Sequence, residues 1–359
     1  MTASVPTAVL IVGAGPTGLT AALELSRRGV PVRIVERRDG PSPLSRAVGL
    51  MPNSMAIFAD CGVGEAVRAE AVEAEALDVF ASDRFVARIG MADHPDPAIR
   101  LFCLPQDRTE SILADALAAQ GVSVEYGRAF EGLVQGDEGV EATVSGETAR
   151  YDAVLGCDGS RSAVRGAIGL TAEGYDLDED WSIADIDIPE WQDSRFRVAL
   201  MPDGELAFLI PMAPGRFRLV TTEPDALAAN PIPLPAYMVR REGRFRIGVR
   251  QVPHYGVGRV WLAGDAAHTH SPVGGRGMNL GIADASEWAR RYAEGSLDGY
   301  GPTRHAVGEA TIAYTERVRR TLQEASDRKR RLMTGVATAV SRLSFLHPKI
   351  TRGMVMGEF

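Results

Sequence analysis

Two glycine-rich loops could bind a nucleotide cofactor, and each follows an apolar run of residues. The first loop, GAGPTG at residues 13–18, follows the run 8–12, and the second begins at Gly264-Asp265 and continues through residues 272–279. A loop without bulky side chains lets backbone amides approach phosphate oxygens closely. One such loop predicts a dinucleotide site. Two loops of different design predict one long cofactor that is held at both ends.

The elements around the first loop are those of a dinucleotide-binding unit. Residues 16–28 should form a helix with Pro16 in its first turn, so that the helix N-terminus faces the phosphates. A second strand over residues 31–35 leads to Glu36, where a carboxylate accepts hydrogen bonds from ribose hydroxyls. The pattern fits NAD and FAD alike, and a glycine-rich turn without a ligand is the alternative. The cofactor-binding residues predicted in this part of the chain are Gly13, Gly15, Pro16, Thr17, Gly18, Glu36 and Arg37.

The composition predicts an ordinary globular protein. Among 359 residues, 45% are hydrophobic and 24% are charged. The net charge of -8 argues against nucleic acid as a partner. The cysteines Cys61, Cys103 and Cys157 lack metal-ligand spacing, which predicts no metal site, no disulfide framework and a reducing compartment. A first strand that starts by residue 8 and the lack of a long apolar run predict a cytoplasmic protein without a signal peptide or membrane span.

The order of patterns predicts interleaved domains. Short strand-like pieces at 76–80 and 85–89 indicate a hairpin, and a helix over 108–120 followed by a strand over 122–126 returns to α/β character. From residue 171 to 252 the apolar residues alternate with period two. That period predicts an antiparallel sheet with one covered face.

Five features in this order resemble one enzyme family. They are GAGPTG at 13–18 with Glu36, SRAVGL at 45–50, Gln106 before a helix, CDGSRSAVR at 157–165, and GDAAHTHSPVGGRGMNLGIADA at 264–285. Together they resemble the single-component FAD-dependent aromatic hydroxylases, which are flavoprotein monooxygenases of the p-hydroxybenzoate hydroxylase fold. The resemblance covers nearly the whole chain, and its last motif is the most specific.

The resemblance implies an α/β fold with a Rossmann-like FAD-binding domain, an interleaved and mainly antiparallel β substrate domain, and C-terminal helices. The FAD-binding domain would comprise residues 1–72, 103–170 and 256–310. The substrate domain would comprise 73–102 and 171–255, and the C-terminal helices 311–359. The sequence would then stop before the thioredoxin-like C-terminal domain of larger phenol hydroxylases.

The second loop acquires a role through this resemblance. Asp265 would accept a hydrogen bond from a ribityl hydroxyl, and a helix starting near Met278 would stabilise negative charge on a reduced flavin. The cofactor-binding residues so implied are Arg46, Gln106, Asp158, Gly159, Arg165, Gly264, Asp265, Gly275, Gly277, Met278 and Asn279. The catalytic set would be Arg46, Pro272, Gly274 and Gly275.

Several of these residues could instead have a simpler role than cofactor binding or catalysis. Asp158 could serve only a turn, and Arg46 could be a solvated charge rather than a contact of a mobile flavin. His268 and His270 are expected to be structural rather than general bases. Arg276 stands where the family commonly has Gln, and it could tune the redox potential, bind an acidic substrate or point to solvent.

The resemblance implies a monooxygenase reaction. NADPH or NADH would bind transiently and reduce the flavin, O2 would form a flavin hydroperoxide, and one oxygen atom would pass to an aromatic or polycyclic substrate in a dry pocket. The protein would be a monomer or a homodimer. The alternatives are an FAD-dependent oxidoreductase without oxygen insertion, a flavin-dependent halogenase, and a non-enzymatic FAD-binding sensor.

Overall fold

The computed structural model describes residues 9–42, 45–92 and 94–356. Residue 8 of the predicted first strand lies outside this range. The strands, in chain order, are β1 Val9–Val12, β2 Val32–Glu36, β3 Gly49–Leu50, β4 Val72–Glu73, β5 Ala76–Ala81, β6 Arg84–Gly90, β7 Phe102–Cys103, β8 Glu125–Tyr126, β9 Phe130–Gly136, β10 Gly139–Val144, β11 Glu147–Tyr151, β12 Ala153–Gly156, β13 Glu173–Asp176, β14 Trp181–Asp187, β15 Phe196–Leu200, β16 Leu206–Ala213, β17 Arg216–Thr221, β18 Met238–Phe245, β19 Gly248–Gln251, β20 Gly256–Val257, β21 Val260–Leu262 and β22 His268–Thr269.

The helices complete a mixed α/β architecture. They are α1 Pro16–Arg27, α2 Pro52–Asp60, α3 Gly64–Glu70, α4 Gln106–Ala119, α5 Ala163–Ala167, α6 Ala226–Ala229, α7 Gly277–Glu294, α8 Tyr300–Gln323, α9 Asp327–Ser341 and α10 His347–Val355. Short 3-10 helices occur at Pro97–Ile99, Gly264–Ala266, Leu297–Gly299 and Ser344–Leu346.

A six-stranded sheet with the order β20-β21-β12-β1-β2-β8 carries the glycine-rich loops. Strand β1 pairs in parallel with β12 and β2, and β12 pairs in parallel with β21. Val9, Leu10 and Ile11 are fully buried, as expected for a parallel strand covered on both faces. The carboxyl ends of four neighbouring strands therefore lie along one edge of the sheet, which is where open α/β sheets bind ligands.

Helices α1 and α7 approach each other closely beside this edge. A Cβ atom on Gly281 of α7 would lie 2.4 Å from Thr17 Oγ1, and one on Gly264 would lie 2.6 Å from the same oxygen. A side chain at either point would require Thr17 or the neighbouring helix to shift. The two glycine-rich loops, distant in sequence, are in this way brought together.

A seven-stranded sheet with the order β18-β14-β17-β16-β15-β5-β6 forms the second layer. Its neighbours pair antiparallel except for β15 and β5, and the predicted hairpin is β5–β6. The expectation of one covered face was wrong. Ala207 and Leu209 pack in a core on one face, whereas Leu206 and Val220 pack on the other with the C-terminal helix α8. Both faces are buried because α6 and the segment that follows it cover one face, through Ala226 and Ile232, while α8 covers the other.

Two local expectations also needed correction. The helix predicted over residues 108–120 begins earlier, at Gln106, because Pro105 precedes it in an extended conformation that ends the previous segment. Of the strand predicted over 122–126, only Glu125–Tyr126 pairs with β2.

The C-terminal helices pack against the edge of the seven-stranded sheet. Thr338 and Thr351 are hydrogen-bonded to carbonyl oxygens of Val86 and Gly90 in β6, at 3.5 and 3.3 Å. Within the three described segments, no helix combines the length and apolar character that crossing a bilayer requires.

The close packing of α1 on α7 generates a stability prediction. Gly281→Ala should destabilise the protein by about 1–3 kcal/mol, because the added methyl group overlaps the Thr17 hydroxyl, so that the Thr17 side chain or the helices must shift. Gly335→Ala is the matched control, since Gly335 lies in α9 and a Cβ atom there would have no heavy atom within 4 Å. It should stabilise the protein by about 0.5–1 kcal/mol through helix propensity alone. Urea unfolding measures the free energy of unfolding of both variants. An equal change in the two variants would contradict the packing argument.

Candidate functional site

The carboxylate of Glu36 lies at the end of β2, beside the first glycine-rich loop. Its Oε2 atom accepts the backbone N–H of Ala14 at 3.0 Å, and its Oε1 atom accepts that of Arg38 at 3.0 Å. Burial favours the neutral form, but the Arg38 side chain and these backbone amides outweigh it and lower the pKa of the Glu36 carboxyl. Glu36 is therefore ionised at neutral pH. Next to it, the side chain of Arg37 is exposed.

The first loop has a tight backbone with an open middle. A Cβ atom on Gly13, whose φ is +105°, would lie 2.4 Å from the carbonyl oxygen of Cys157, and one on Gly18 would lie 1.9 Å from the Gly13 oxygen. Gly15, in contrast, has nothing within 4 Å of the position a Cβ atom would take. Gly15 is also the N-cap of α1, and no side chain caps that helix. The first-turn amides of α1 consequently remain available to an anion.

Asp158, in the middle motif, makes contacts within its own turn. Its carboxylate accepts hydrogen bonds from Ser162 Oγ at 2.5 Å and from the backbone N–H of Ala163 at 2.7 Å. Burial raises the pKa of Asp158, although these hydrogen bonds oppose the shift. Arg165 donates from Nη1 to the carbonyl oxygen of Ala266 at 3.1 Å. This contact ties the middle motif to the second glycine-rich loop.

Gly159 joins the two halves of that motif. Its φ is +80°, and a Cβ atom added to it would meet no heavy atom within 4 Å. The left-handed conformation explains a glycine at this turn.

Asp265 directly follows β21, at the same edge of the six-stranded sheet. Its side chain is open to solvent, yet desolvation by the surrounding protein raises the pKa of the carboxyl. The neighbouring His268 and Arg46 act in the opposite direction and favour the carboxylate. Asp265 is thus a recessed acid that faces open space.

The loop before α7 is exposed and is anchored from behind. Pro272, Gly274 and Gly275 are exposed, and Gly275 donates its N–H to the Pro272 carbonyl oxygen at 2.9 Å. No side chain caps the N-terminus of α7, which begins at Gly277. The N-termini of α1 and α7, which both lie at this edge, therefore have backbone amides that can donate hydrogen bonds to a ligand.

Asn279 holds the loop before α7 in place, and its side-chain amide uses both its oxygen and its nitrogen to do so. Its Oδ1 atom accepts the N–H of Met51 at 2.8 Å and the hydroxyl of Ser54 at 2.7 Å. Its Nδ2 atom donates to the carbonyl oxygens of Gly49 and Gly275 at 3.0 and 2.9 Å. The buried amide leaves no side-chain group for a cofactor. The neighbouring Met278 side chain is half-buried against the core of the six-stranded sheet.

The backbone around Arg46 is held by Arg218 and Asp185, which the sequence did not point out, and by Gln106, which the resemblance implied as a cofactor-binding residue. Arg218 and Asp185 form a buried pair with two N–O distances of 2.7 Å, and Arg218 Nη1 donates to the Arg46 carbonyl oxygen at 2.7 Å. Gln106 Oε1 accepts the N–H of Ala47 at 3.1 Å. The Arg46 side chain itself is exposed, so the loop is fixed while its charge stays accessible.

Arg276 does not point to solvent. It is buried, its guanidinium carbon lies 4.3 Å from the Tyr314 ring centroid, and its Nη2 atom donates to the Met354 carbonyl oxygen at 3.1 Å. Arg276 thereby connects the start of α7 with α8 and α10. The solvent alternative for this residue was wrong, because the C-terminal helices cover it.

The two histidines of the second motif occupy different environments. His268 is buried, and its Nε2 atom lies 2.5 Å from Asp284 Oδ2. His270 donates from Nδ1 to the Ser271 carbonyl oxygen at 2.8 Å, and burial lowers its pKa to about 4, so it is neutral at neutral pH. Among the described residues, His270 Nε2 has no hydrogen-bond partner.

These groups together fit one extended dinucleotide. An ionised carboxylate at Glu36, a side-chain-free position at Gly15 and a recessed acid at Asp265 follow one another along the edge formed by β2, β1 and β21. Two uncapped helix N-termini flank them. A ribose, a pyrophosphate and a polyhydroxylated chain need these groups in this order.

Comparisons with known proteins agree with this geometry. The family model described as the FAD binding domain matches residues 6–224 and 225–315. A 6-methylpretetramide 4-monooxygenase from Streptomyces rimosus is 33% identical over 339 residues, which cover 86% of this chain and 60% of that protein. A rifampicin monooxygenase from Streptomyces venezuelae is 32% identical over 86% of this chain and 70% of its own length. The solved structure of p-nitrophenol 4-monooxygenase from Pseudomonas putida aligns with a TM-score of 0.87 and 25% identity, covering 98% of this chain and 99% of that one.

The raised pKa of Asp265 generates a prediction for the cofactor-free protein. Asp265→Asn should raise the free energy of unfolding at neutral pH, because the folded protein disfavours the carboxylate. A raised folded-state pKa means that stability falls as pH rises through the interval between the unfolded and folded pKa values. The higher free energy of unfolding of the Asp265→Asn variant should therefore disappear below the ordinary aspartate pKa of 3.8. Urea unfolding across this pH range checks the sign, and a variant less stable at neutral pH would contradict it.

Proposed function

The chain belongs to the family defined by the FAD binding domain, and from this premise we propose that it is an FAD-dependent monooxygenase that hydroxylates an aromatic small molecule at the expense of NAD(P)H. The chain spans 60% of the length of the 6-methylpretetramide 4-monooxygenase that it matches. The observation that carries the proposal is the alignment of Glu36, Gly15 and Asp265 along one sheet edge. Relatives named as monooxygenases favour oxygen insertion over a halogenase or a simple oxidoreductase.

Each end of the cofactor would be held by a different kind of group. Glu36 would accept hydrogen bonds from the adenosine ribose, and the α1 amides beside Gly15 would bind the pyrophosphate. Asp265 would accept a ribityl hydroxyl. The uncapped N-terminus of α7, beside Gly274 and Gly275, would favour negative charge at the flavin ring. Bound FAD supplies the redox chemistry between NAD(P)H, O2 and the substrate.

The substrate would lie between the loop before α7 and the seven-stranded sheet. Val273 of this loop packs in one cluster with Leu206 and Val220, against which Phe208 and Ile210 also pack. Helix α8 covers part of this face, and its apolar margin next to the flavin loop would suit a flat aromatic ring and exclude water from it. The named relatives act on 6-methylpretetramide, rifampicin and p-nitrophenol, which range from polycyclic compounds to a simple phenol.

The remaining partners follow from the same proposal. NADPH or NADH would bind transiently, because the sequence contains a single dinucleotide fingerprint. The protein would be a monomer or homodimer. The three buried free cysteines suit a reducing, cytoplasmic compartment.

The proposed reaction is tested by product mass. The purified protein with FAD, NADPH or NADH and O2 is incubated with p-nitrophenol and with rifampicin as probes, while oxygen uptake is recorded. A product heavier by one oxygen atom supports hydroxylation. Halogen addition, a two-hydrogen change or no turnover across a wider panel of phenols would reject it.

Cofactor identity and the role of Glu36 are tested together. The released cofactor should be FAD, and recovery of NAD alone would refute the assignment. Glu36→Ala should weaken FAD binding by about 1.5–3 kcal/mol through loss of charge-assisted hydrogen bonds. Glu125→Ala is the control, since Glu125 begins the neighbouring strand β8 but pairs with Arg33 at 2.8 Å. Isothermal titration of the apoproteins measures both, and equal affinities would remove Glu36 from the site.

Arg46 is expected to hold the flavin in position when substrate is present. A planar guanidinium with five donors suits phosphate or ring oxygens better than an ammonium group does. Arg46→Lys should therefore keep FAD but change the substrate-stimulated reduction rate or the coupling of NAD(P)H to product. The control is Arg216→Lys, a half-buried arginine in the strand that contains Arg218.

Anaerobic stopped-flow reduction, with and without a compound that accelerates NAD(P)H oxidation, gives the answer for Arg46. If reduction rates are equal in wild type and Arg46→Lys, with and without that compound, neither Arg46 nor substrate gating belongs in the mechanism. Such a result would leave the FAD assignment intact.

A further inference from the structure

A buried charged chain lies behind the turn that carries Asp265. Arg304 of α8 donates from Nε to Asp284 Oδ1 at 2.6 Å. The other carboxylate oxygen, Asp284 Oδ2, accepts the backbone N–H of Gly264 at 3.0 Å and lies 2.5 Å from His268 Nε2. Each of these side chains is nearly or fully buried. The chain thus links α8, α7 and the turn that follows β21.

The charge of Asp284 is maintained by its partners. Burial alone would raise the pKa of this carboxyl, but Arg304, His268 and the Gly264 amide outweigh burial and lower it. Asp284 therefore remains a carboxylate that accepts hydrogen bonds from both Gly264 and His268. The neutral acid would offer a weaker acceptor to each of them.

The turn needs this support because of its backbone. Gly264 has a φ of +60° and lies against Thr17, so its position decides how the second loop meets the first. The amide of Gly264 is held by Asp284, and Asp265 is the next residue along the chain. His268 also favours the ionised form of Asp265. Displacement of Asp284 would therefore move the turn that carries Asp265, the acid that faces the proposed cofactor site.

The pair is poorly suited to a purely stabilising role. Arg304 Nη2 is buried without a hydrogen-bond partner among the described residues. Buried ion pairs recover little net stability even when every donor is satisfied. The contacts of Asp284 with Arg304, Gly264 and His268 are better explained by a role in positioning the turn at Gly264 than by a contribution to the stability of the protein.

We propose that Arg304 is a positioning residue for the flavin, acting through Asp284 on Gly264, His268 and Asp265. The inference rests on the proposed FAD site but not on the substrate or the hydroxylation reaction. Arg304 itself would not touch the cofactor. Its charge would fix the carboxylate that orients the ribityl-binding turn.

Binding of FAD to apoprotein variants tests this proposal separately from catalysis. Arg304→Met should raise the Kd for FAD by about tenfold, the factor expected for loss of one charge-assisted contact. It should also change the visible absorption band of bound flavin. Arg304→Lys should keep the Kd within about threefold, because the observed contact uses one nitrogen that an ammonium group can replace.

Arg197→Met is the matched control. Arg197 is equally buried, pairs with Asp193 at 2.8 Å and lies 3.9 Å from the Trp191 ring centroid, in the sheet core away from this turn. It should lower the stability of the apoprotein without changing the Kd for FAD. If Arg304→Met does not fold, Arg304→Gln replaces it, since it removes the charge but keeps a hydrogen-bond donor.

Three outcomes would overturn the proposal. The first is an unchanged Kd in the neutral Arg304 variant, even with reduced stability, and the second is an equal loss of affinity in Arg304→Lys. The third is a similar loss in Arg197→Met, which would mean that general destabilisation weakens FAD binding. Failure of wild type to bind FAD would instead refute the proposed cofactor site, and failure to hydroxylate would affect neither result.

Discussion

Close approach of backbone segments around Thr17 and Cys157 is the constraint on which the site depends. The first loop can turn against Cys157 only because Gly13 and Gly18 have no side chains. The second loop and α7 can reach Thr17 only because Gly264 lacks one as well. When these contacts form, two helix N-termini and three strand ends share one edge. The peptide amides and carboxylates that a dinucleotide needs are then already in place before it binds.

Buried ion pairs connect this edge to the rest of the molecule. Asp185 and Arg218 extend from the seven-stranded sheet to the carbonyl oxygen of Arg46, while Asp284 and Arg304 extend from α7 and α8 to Gly264. Charges in a low-dielectric interior are costly to leave unpaired, so each pair admits few alternative geometries. The two loops that would contact the flavin are consequently fixed by rigid elements on the side away from the proposed site. Their exposed groups remain available to a ligand.

The sequence predicted the parts of the fold that depend on local pattern. The strand, helix and acidic end of the first unit, the β5–β6 hairpin and the start of α7 near Met278 all follow from spacing and residue type. The fold class and the FAD family were also predicted correctly, because long motifs in a fixed order are specific. The finer assignments of cofactor-contacting residues stay predictions.

The sequence did not predict the contacts between segments that are distant along the chain. Asp185 and Arg218 face each other because β14 and β17 pair in one particular register, and 33 residues separate them. The available signal was that each of these two strands carries charged residues among apolar ones. The second covered face of the sheet was missed for the same reason, since α8 comes from the far end of the chain. Asn279, which the resemblance implied as a cofactor-binding residue, also has contacts that the sequence did not reveal, because its buried side-chain amide binds four protein groups.

Features that suit the cofactor also make the cofactor-free protein less stable than its packing alone would allow. Desolvation by the surrounding protein raises the pKa of the Asp265 carboxyl although its side chain is open to solvent, and the first-turn amides of α1 and α7 lack side-chain caps. A ligand that supplies hydroxyl donors to the carboxylate and phosphate oxygens to the amides would satisfy all of these groups together. Binding and folding are then linked, because a ligand bound only by the folded state shifts the unfolding equilibrium toward that state. The same groups that would select a long, doubly charged dinucleotide would thus link its binding to the stability of the protein.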